Sequence, residues 1–192
     1  TYVVLGGALL WFGWFGFNAG SSWAANGLAV NALLVTNTAA AAASLTWLFI
    51  GWIHKGSPSV VGAVSGAVAG LVAITPASGY VDVSGALAIG LAAGSICYGA
   101  ILLRERLQVD DALDVWAVHG VGGTTGAILT GVFASTAVNP VVSGGGLLEG
   151  GDPTLLGKQV IAVGATWVFS GAMTLAILKV VDLVFRVRVG SD

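Results

Sequence analysis

Charged residues are scarce in this sequence, and their scarcity excludes an ordinary soluble domain. Only 8% of the 192 residues are Asp, Glu, Lys or Arg, whereas soluble domains carry about 25%. Seven Lys and Arg residues are too few to cover a water-facing surface of this size. The mean hydropathy of +0.94 and the hydrophobic fraction of 56% indicate an integral membrane protein instead.

Cysteine and net charge are also low. Cys97 is the only cysteine in the sequence, which excludes an intramolecular disulfide and a cysteine-rich metal site. The formal net charge is −2, which gives no indication of nucleic-acid binding.

Long apolar runs take the place of charge. A membrane-spanning helix needs about 20 apolar residues, whereas the strands of a membrane barrel are alternating segments of about ten. The runs are long enough to predict an all-α integral membrane protein whose residues 1–192 form one transmembrane domain. We predict six spans, at residues 1–19, 25–53, 59–75, 83–103, 111–134 and 155–185. Because the sequence starts inside an apolar run and without Met, we expect it to be a fragment of a longer protein.

The basic residues follow every second predicted span. The links after spans two, four and six hold Lys55, Arg104, Arg106, Arg186 and Arg188. The other links hold no Lys or Arg, and the first basic residue after the last of them is Lys158, at the start of span six. Because Lys and Arg are enriched in cytoplasmic links, this distribution predicts that both ends of the chain are cytoplasmic.

Glycine is abundant, with thirty residues. Small residues four positions apart let two helix backbones approach closely in a membrane. This spacing predicts helix packing rather than chemistry for Gly62, Gly66, Gly70, Gly90, Gly94, Gly122 and Gly126.

His119 is an ionisable residue in an apolar span, within the stretch "DVWAVHGVGG". No charged residue occurs in the next 29 positions. It lies eight residues after position 111, which at 1.5 Å per residue places it about 12 Å into a hydrocarbon core about 30 Å thick. A histidine at this depth is by default a functional hypothesis. The alternative is a structural histidine that is hydrogen-bonded to a neighbouring helix.

A stripe of side chains on the first span also suggests a path. Leu10, Trp14, Phe17 and Ser21 are spaced as residues on one helix face, ordered from aliphatic through aromatic to polar. An aromatic belt at the membrane interface is the alternative. With His119, such a path suits a small solute that is a cation outside and can lose a proton. Ammonium and ammonia match that description.

Three carboxylates lie where the fifth span begins. Carboxylates stabilise the positive N-terminal end of a helix and can cap it, which we expect of Asp110 and Asp111. Asp114 is deeper, and we expect it to have a partner.

Four strings of the sequence resemble the ammonium transporter (Amt) family of the Amt/Rh superfamily. They are "LLWFGWFGFNAGS", "GLVAITPASGYV", "VDDALDVWAVHGVGG" and "GAILTGVF". The resemblance implies spans six to eleven of an eleven-span fold, which are its second inverted half and its C-terminal helix. It further implies a homotrimer in the cell (inner or plasma) membrane, with one pore in each subunit.

The resemblance also implies roles for single residues. His119 matches the second histidine of a pore-lining pair implicated in deprotonation of ammonium and proton relay. Phe17 matches one of two stacked gate phenylalanines, and Ser21 matches a serine that holds ammonium in the outer vestibule. Hydrophobic pore-lining positions are matched by Leu10, Trp14 and Val115.

The partners implied are ammonium or ammonia, methylammonium, the lipid bilayer and a PII-type signal protein on the cytoplasmic face. No nucleic acid, metal or organic cofactor is expected, and a transporter is not an enzyme. The family's first pore histidine belongs to the other half of the fold, so we expect no pore from this segment alone. Three alternatives remain: an Amt-like sensor, an Rh-type gas channel, and a structural bundle in which His119 is satisfied.

Overall fold

The structure is a computed structural model, and it describes residues 1–185 and residue 187. The part of the chain that it describes is helical and contains no strand. Arg186 and Arg188, which contributed to the predicted topology, lie outside the described residues. The helices in chain order are α1 (Tyr2–Gly20), α2 (Gly27–Lys55), α3 (Val60–Ile74), α4 (Val83–Leu107), α5 (a π-helical segment Trp116–Val121 followed by an α-helical segment Gly122–Phe133), α6 (Leu147–Gly150) and α7 (Thr154–Val184).

The predicted all-α membrane fold is confirmed. Within the described residues, α1, α2, α4 and α7 are each long and apolar enough to cross a membrane. The third predicted span is found as a shorter apolar helix, α3, of 15 residues. The fifth predicted span is found as α5, which is also shorter than predicted and changes from a π-helical to an α-helical segment.

Local sequence signals begin and end these helices. The side chains of Asn26, Ser59 and Asp82 each accept a hydrogen bond from the backbone N–H three residues later, and so cap α2, α3 and α4. Gly56 ends α2 with φ of 77°, a left-handed conformation that glycine adopts without a steric cost. Gln108 ends α4 with φ of 52°.

The core is built around α2, with α3 and α4 packed on it through glycine. A Cβ atom on Gly70 of α3 or on Gly90 of α4 would lie 2.5 Å from the carbonyl oxygen of Ala39. A Cβ on Gly94 would lie 2.7 Å from the carbonyl oxygen of Ala43. Both neighbouring helices therefore approach the same stretch of the α2 backbone, which only glycine allows.

The predicted start of the fifth span at position 111 is wrong. Residues 111–114 are not helical, and Asp114 has φ of 55°, a left-handed conformation that an α-helix of L-residues excludes. The helical conformation begins at Val115. His119 is thus four residues past the first helical residue, a rise of about 6 Å rather than the predicted 12 Å.

The last helix, α7, packs beside α5 and has no buried residue. The segment that connects them folds back on itself through Glu149. The carboxylate of Glu149 accepts hydrogen bonds from the backbone N–H of Thr136 at 2.6 Å and from Oγ of Ser135 at 2.9 Å. These bonds hold the pKa of Glu149 below its ordinary value, the Thr136 N–H being the main cause.

Candidate functional site

The aromatic stripe of α1 is anchored by one hydrogen bond to α3. The indole Nε1–H of Trp14 donates to Oγ1 of Thr75 at 2.8 Å. The rings of Trp14 and Phe17 meet edge to face, with centroids 5.9 Å apart. Leu10 and Phe17 are 52% and 63% exposed, so this face of α1 is open along its length. The sequence had given no sign of Thr75, which is 61 positions from Trp14.

Ser21 lies just past the last residue of α1. Its backbone conformation is still helical, and its Oγ donates to the carbonyl oxygen of Phe17 at 2.9 Å. Ser21 therefore continues the stripe, as its spacing predicts. Beside it is a small polar pocket of about 110 Å³, to which Asn18, Ser78 and Asn139 also contribute.

His119 lies in the π-helical segment of α5, and its side chain is exposed. No hydrogen bond to the His119 ring is formed by any residue in the described part of the chain. The described residues therefore do not support the alternative in which His119 is a structural histidine hydrogen-bonded to a neighbouring helix. π-Helical segments inside α-helices occur often at functional sites.

The His119 side chain borders a wide groove of about 730 Å³ between α5 and α7. Trp167 of α7 closes one part of it by donating from Nε1 to Oγ1 of Thr124 at 2.9 Å. Of the described residues that line the groove, His119 is the one with an ionisable side chain, and the others are apolar or neutral polar. The polar residues on the α7 side, which sequence analysis missed, are Gln159, Thr166, Ser170 and Thr174. Their spacing along one face of α7 is a signal that could have found them.

The two parts of the predicted path are both positioned by α3. Trp14 of α1 is bonded to Thr75, the residue that ends α3. On the α5 side, Gly126 lies directly against the carbonyl group of Ala73. Val115, predicted to line the path, is the first helical residue of α5 and is 47% exposed. Across the described residues, no hydrogen bond joins His119 to the stripe on α1.

The three carboxylates before α5 have different surroundings. Asp111 accepts hydrogen bonds from the backbone N–H of Val115 at 3.0 Å and of Trp116 at 2.7 Å, which caps the helix. The bond from Trp116 is the main reason that the pKa of Asp111 is below its ordinary value. Asp114 lies 2.9 Å from Nε of Arg104, in an ion pair rather than a well-aligned hydrogen bond.

Asp110, in contrast, has no hydrogen bond or ion pair to any other described residue, so Asp111 is the residue that caps α5. The described residues also contain no group of three or more His, Cys, Asp or Glu side chains that could hold a metal ion. The arrangement offers a single imidazole beside neutral surfaces, which suits proton transfer to or from a small solute.

Comparison with known proteins gives a match along the whole chain. The model of the Ammonium Transporter Family matches residues 1–192. The ammonium transporter Amt1 of Archaeoglobus fulgidus is 52% identical over 190 residues, which are 99% of this chain and 47% of that protein. An ammonium transporter of Bacillus subtilis is 48% identical over 192 residues, which are 100% of this chain and 47% of that protein. The chain therefore spans about half the length of these curated relatives.

Solved structures share the fold. Mep2 of Candida albicans superposes with a TM-score of 0.91 at 40% identity, over 98% of this chain and 43% of that one. A structure described as a sensor Amt protein superposes with a TM-score of 0.85 at 33% identity, over 97% of this chain and 45% of that one. With the apolar helices described above, these similarities identify a multi-pass membrane protein.

Proposed function

Because the chain belongs to the ammonium transporter family, we propose that it is part of a pore that moves ammonium across a membrane as ammonia. The observation that carries this proposal is the groove beside His119, in which one imidazole faces otherwise neutral described residues. Such a surface has no carboxylate ring to replace the hydration shell of an ion, and it favours a neutral solute. The activity belongs to the complete protein, since the chain covers less than half of its relatives.

In the proposed path, ammonium is held near Ser21 at the outer mouth and passes the exposed ring of Phe17. An aromatic face and a hydroxyl oxygen together hold a small cation weakly, so that it can move on. The cation then loses its proton, and ammonia passes along Leu10, Trp14, Val115 and His119. His119 takes part in the deprotonation or relays the proton, because an imidazole can both accept and donate at physiological pH.

The proposed setting of this pore is a homotrimer in the cell membrane, with both ends of the chain cytoplasmic and one pore in each subunit. The remaining wall of the pore is supplied by the part of the family fold that this chain does not cover. Methylammonium is proposed as a second substrate, and a PII-type signal protein as a cytoplasmic partner.

A second candidate function is ammonium sensing. The observation that favours it is the likeness to the sensor Amt protein, which covers 97% of this chain. A sensor would bind ammonium at the same outer mouth and pass on a conformational change instead of a solute.

Purified protein, expressed from the complete open reading frame that encodes this chain, tests the proposal in proteoliposomes. Uptake of radiolabelled methylammonium and the current that follows an ammonium jump are measured, with a potassium jump as the control. Saturable uptake that ammonium inhibits is the result expected of a transporter. Saturable ammonium binding without uptake would support the sensor instead, and the absence of both would contradict the two proposals together.

A further inference from the structure

One arginine spans the whole loop that precedes α5. Arg104, in the last turn of α4, lies with Nε 2.9 Å from Oδ1 of Asp114. Its Nη1–H donates to the carbonyl oxygens of Asp111 at 3.3 Å and Val109 at 3.5 Å. The side chain is only 19% exposed, so it is partly shielded from water and from competing ions. Arg106, two positions later, is exposed and forms no ion pair with the described residues.

The residues that Arg104 holds are those that begin α5. Asp114 has φ of 55°, a left-handed conformation that Asp adopts more readily than most residues but that still costs free energy, which contacts with its surroundings offset. Asp111 binds the backbone N–H groups of Val115 and Trp116 with its two carboxylate oxygens. Arg104 therefore contacts both the strained residue and the capping residue, and the first turn of α5 depends on each of them.

The first turn of α5 determines the direction in which His119 points. The segment Trp116–Val121 is π-helical, and each π turn holds one residue more than an α turn. Because an α-helix turns about 100° per residue, one additional residue rotates the side chains before it by about 100° relative to those after it. The part after it is fixed by Gly126, which lies against the carbonyl group of Ala73. The part before it is fixed by the loop that Arg104 holds.

We propose that Arg104 is a positioning residue for His119: its contacts with Asp114 and Asp111 maintain the π-helical start of α5, which directs the imidazole into the groove. Without these contacts, the loop relaxes, the π turn converts to an α turn, and His119 rotates away from the groove lining. The inference deepens the proposed function, since it states what orients the proton-relay group of that pore. Arg104 lies outside the α2–α3–α4 glycine contacts, so the fold is expected to persist without it.

The test measures the reactivity of the His119 imidazole, which changes when the ring moves into or out of the groove, at constant pH. The complete protein carrying Arg104→Gln, Asp114→Asn or both is treated with diethyl pyrocarbonate, and the modification of His119 is followed by mass spectrometry. His54, which is hydrogen-bonded to Tyr98 at 2.8 Å, is the internal reference. Arg106→Gln is the matched control, since it removes the same charge from the same helix end.

The expected result is a change of threefold or more in the modification rate of His119 relative to His54 in Arg104→Gln and Asp114→Asn. The double variant should change no more than Arg104→Gln alone, because that variant already removes the contact with Asp114. Arg106→Gln should match the wild type. Equal rates in Arg104→Gln and the wild type would overturn the inference. If Arg104→Gln does not fold, Asp114→Asn decides between the same two outcomes, since Asn tolerates a positive φ.

Transport by the same proteins separates this inference from the proposed function. In a transporter, Arg104→Gln should lower the maximal rate at least fivefold while the KM for ammonium changes little. Ser21 shares a pocket with Tyr80, which lies just before α4 begins, whereas Arg104 lies in the last turn of that helix. A changed His119 rate in a protein that does not transport ammonium would support the positioning role and contradict the proposed function. An unchanged modification rate of His119 in an Arg104→Gln protein, together with ammonium transport by the wild type, would contradict the positioning role and support the proposed function.

Discussion

The indole of Trp14 and the hydroxyl of Thr75 are joined by a 2.8 Å hydrogen bond that connects α1 to the end of α3. Thr75 itself donates to the carbonyl oxygen of Leu71 at 2.8 Å, so its oxygen is held in place to accept. The bond fixes the aromatic ring that lies midway along the proposed path. The orientation of the α1 stripe thus depends on a residue from another helix.

Replacing Thr75 by Val should loosen the Trp14 ring without changing the size of the side chain. A hydrogen bond of this kind contributes about 1 kcal/mol, and the free energy of unfolding should fall by about that amount. Uptake of methylammonium should fall as well, since the ring becomes mobile in the path. Thr38→Val is the control, because Thr38 donates only to the carbonyl oxygen of Leu34 in its own helix. Equal uptake by both variants would show that the bond does not hold the path.

Gly70→Ala should destabilise the protein by about 1–3 kcal/mol, the usual cost of overpacking. The added Cβ would lie 2.5 Å from the carbonyl oxygen of Ala39, a distance that requires α2 and α3 to separate. Thermal unfolding in detergent measures the effect. Gly99→Ala is the control, because no atom lies within 4 Å of its added Cβ. A melting temperature of Gly70→Ala at or above that of Gly99→Ala would contradict the proposed packing.

Asp111→Ala should fray the start of α5, because the N–H groups of Val115 and Trp116 lose their acceptor. Hydrogen–deuterium exchange of a peptide covering residues 115–121 should become several-fold faster. Asp110→Ala is the control, because it removes the same charge one residue earlier, where the described residues offer no partner. In this variant the peptide should exchange at the wild-type rate. Faster exchange in both variants to the same extent would indicate a general charge effect rather than a cap.

Stability of the segment that connects α5 and α7 should depend on pH through Glu149. Hydrogen bonds from Thr136 and Ser135 hold its pKa below the ordinary value, so the folded segment binds its proton less readily than the unfolded one. The stabilisation is therefore fully present above the ordinary pKa of about 4.3 and is lost as the pH falls through the lower folded value. Limited proteolysis between residues 134 and 153 should show an acid-dependent increase in cleavage. Glu149→Gln should be cleaved faster at neutral pH and lose most of that dependence, and an unchanged pH profile would refute the role.

Much of this fold could be predicted from sequence because membrane spans are recognised by apolar length, a property of each segment by itself. The spacing of Leu10, Trp14, Phe17 and Ser21 also needs only the helix period. The start of α5 could not be predicted in this way. Asp114 is left-handed and lies beside Arg104, ten positions earlier, a contact that the sequence does not reveal, and the stretch from 111 reads as the start of an apolar helix.

The surroundings of the site depend on contacts between distant segments, which a single sequence does not reveal. Thr75 meets Trp14 across 61 positions, and Trp167 meets Thr124 across 43. The polar residues of α7, such as Gln159 and Ser170, were missed although their helical spacing is visible in the sequence, because the spacing does not say what that face lies against. Glycine spacing was more informative, since it predicted close backbone contacts that Gly70 and Gly90 make on the same residue of α2.

The current that follows an ammonium jump in proteoliposomes shows whether His119 moves the proton of a transported ammonium ion. The complete protein, its His119→Leu variant and its Thr174→Val variant are compared, with uptake of methylammonium measured in parallel. Thr174 lines the same groove but does not titrate, so its variant should keep both signals. We expect His119→Leu to lose the current, whether or not neutral ammonia still passes. Unchanged current and unchanged uptake in His119→Leu would show that the histidine is structural and carries no proton.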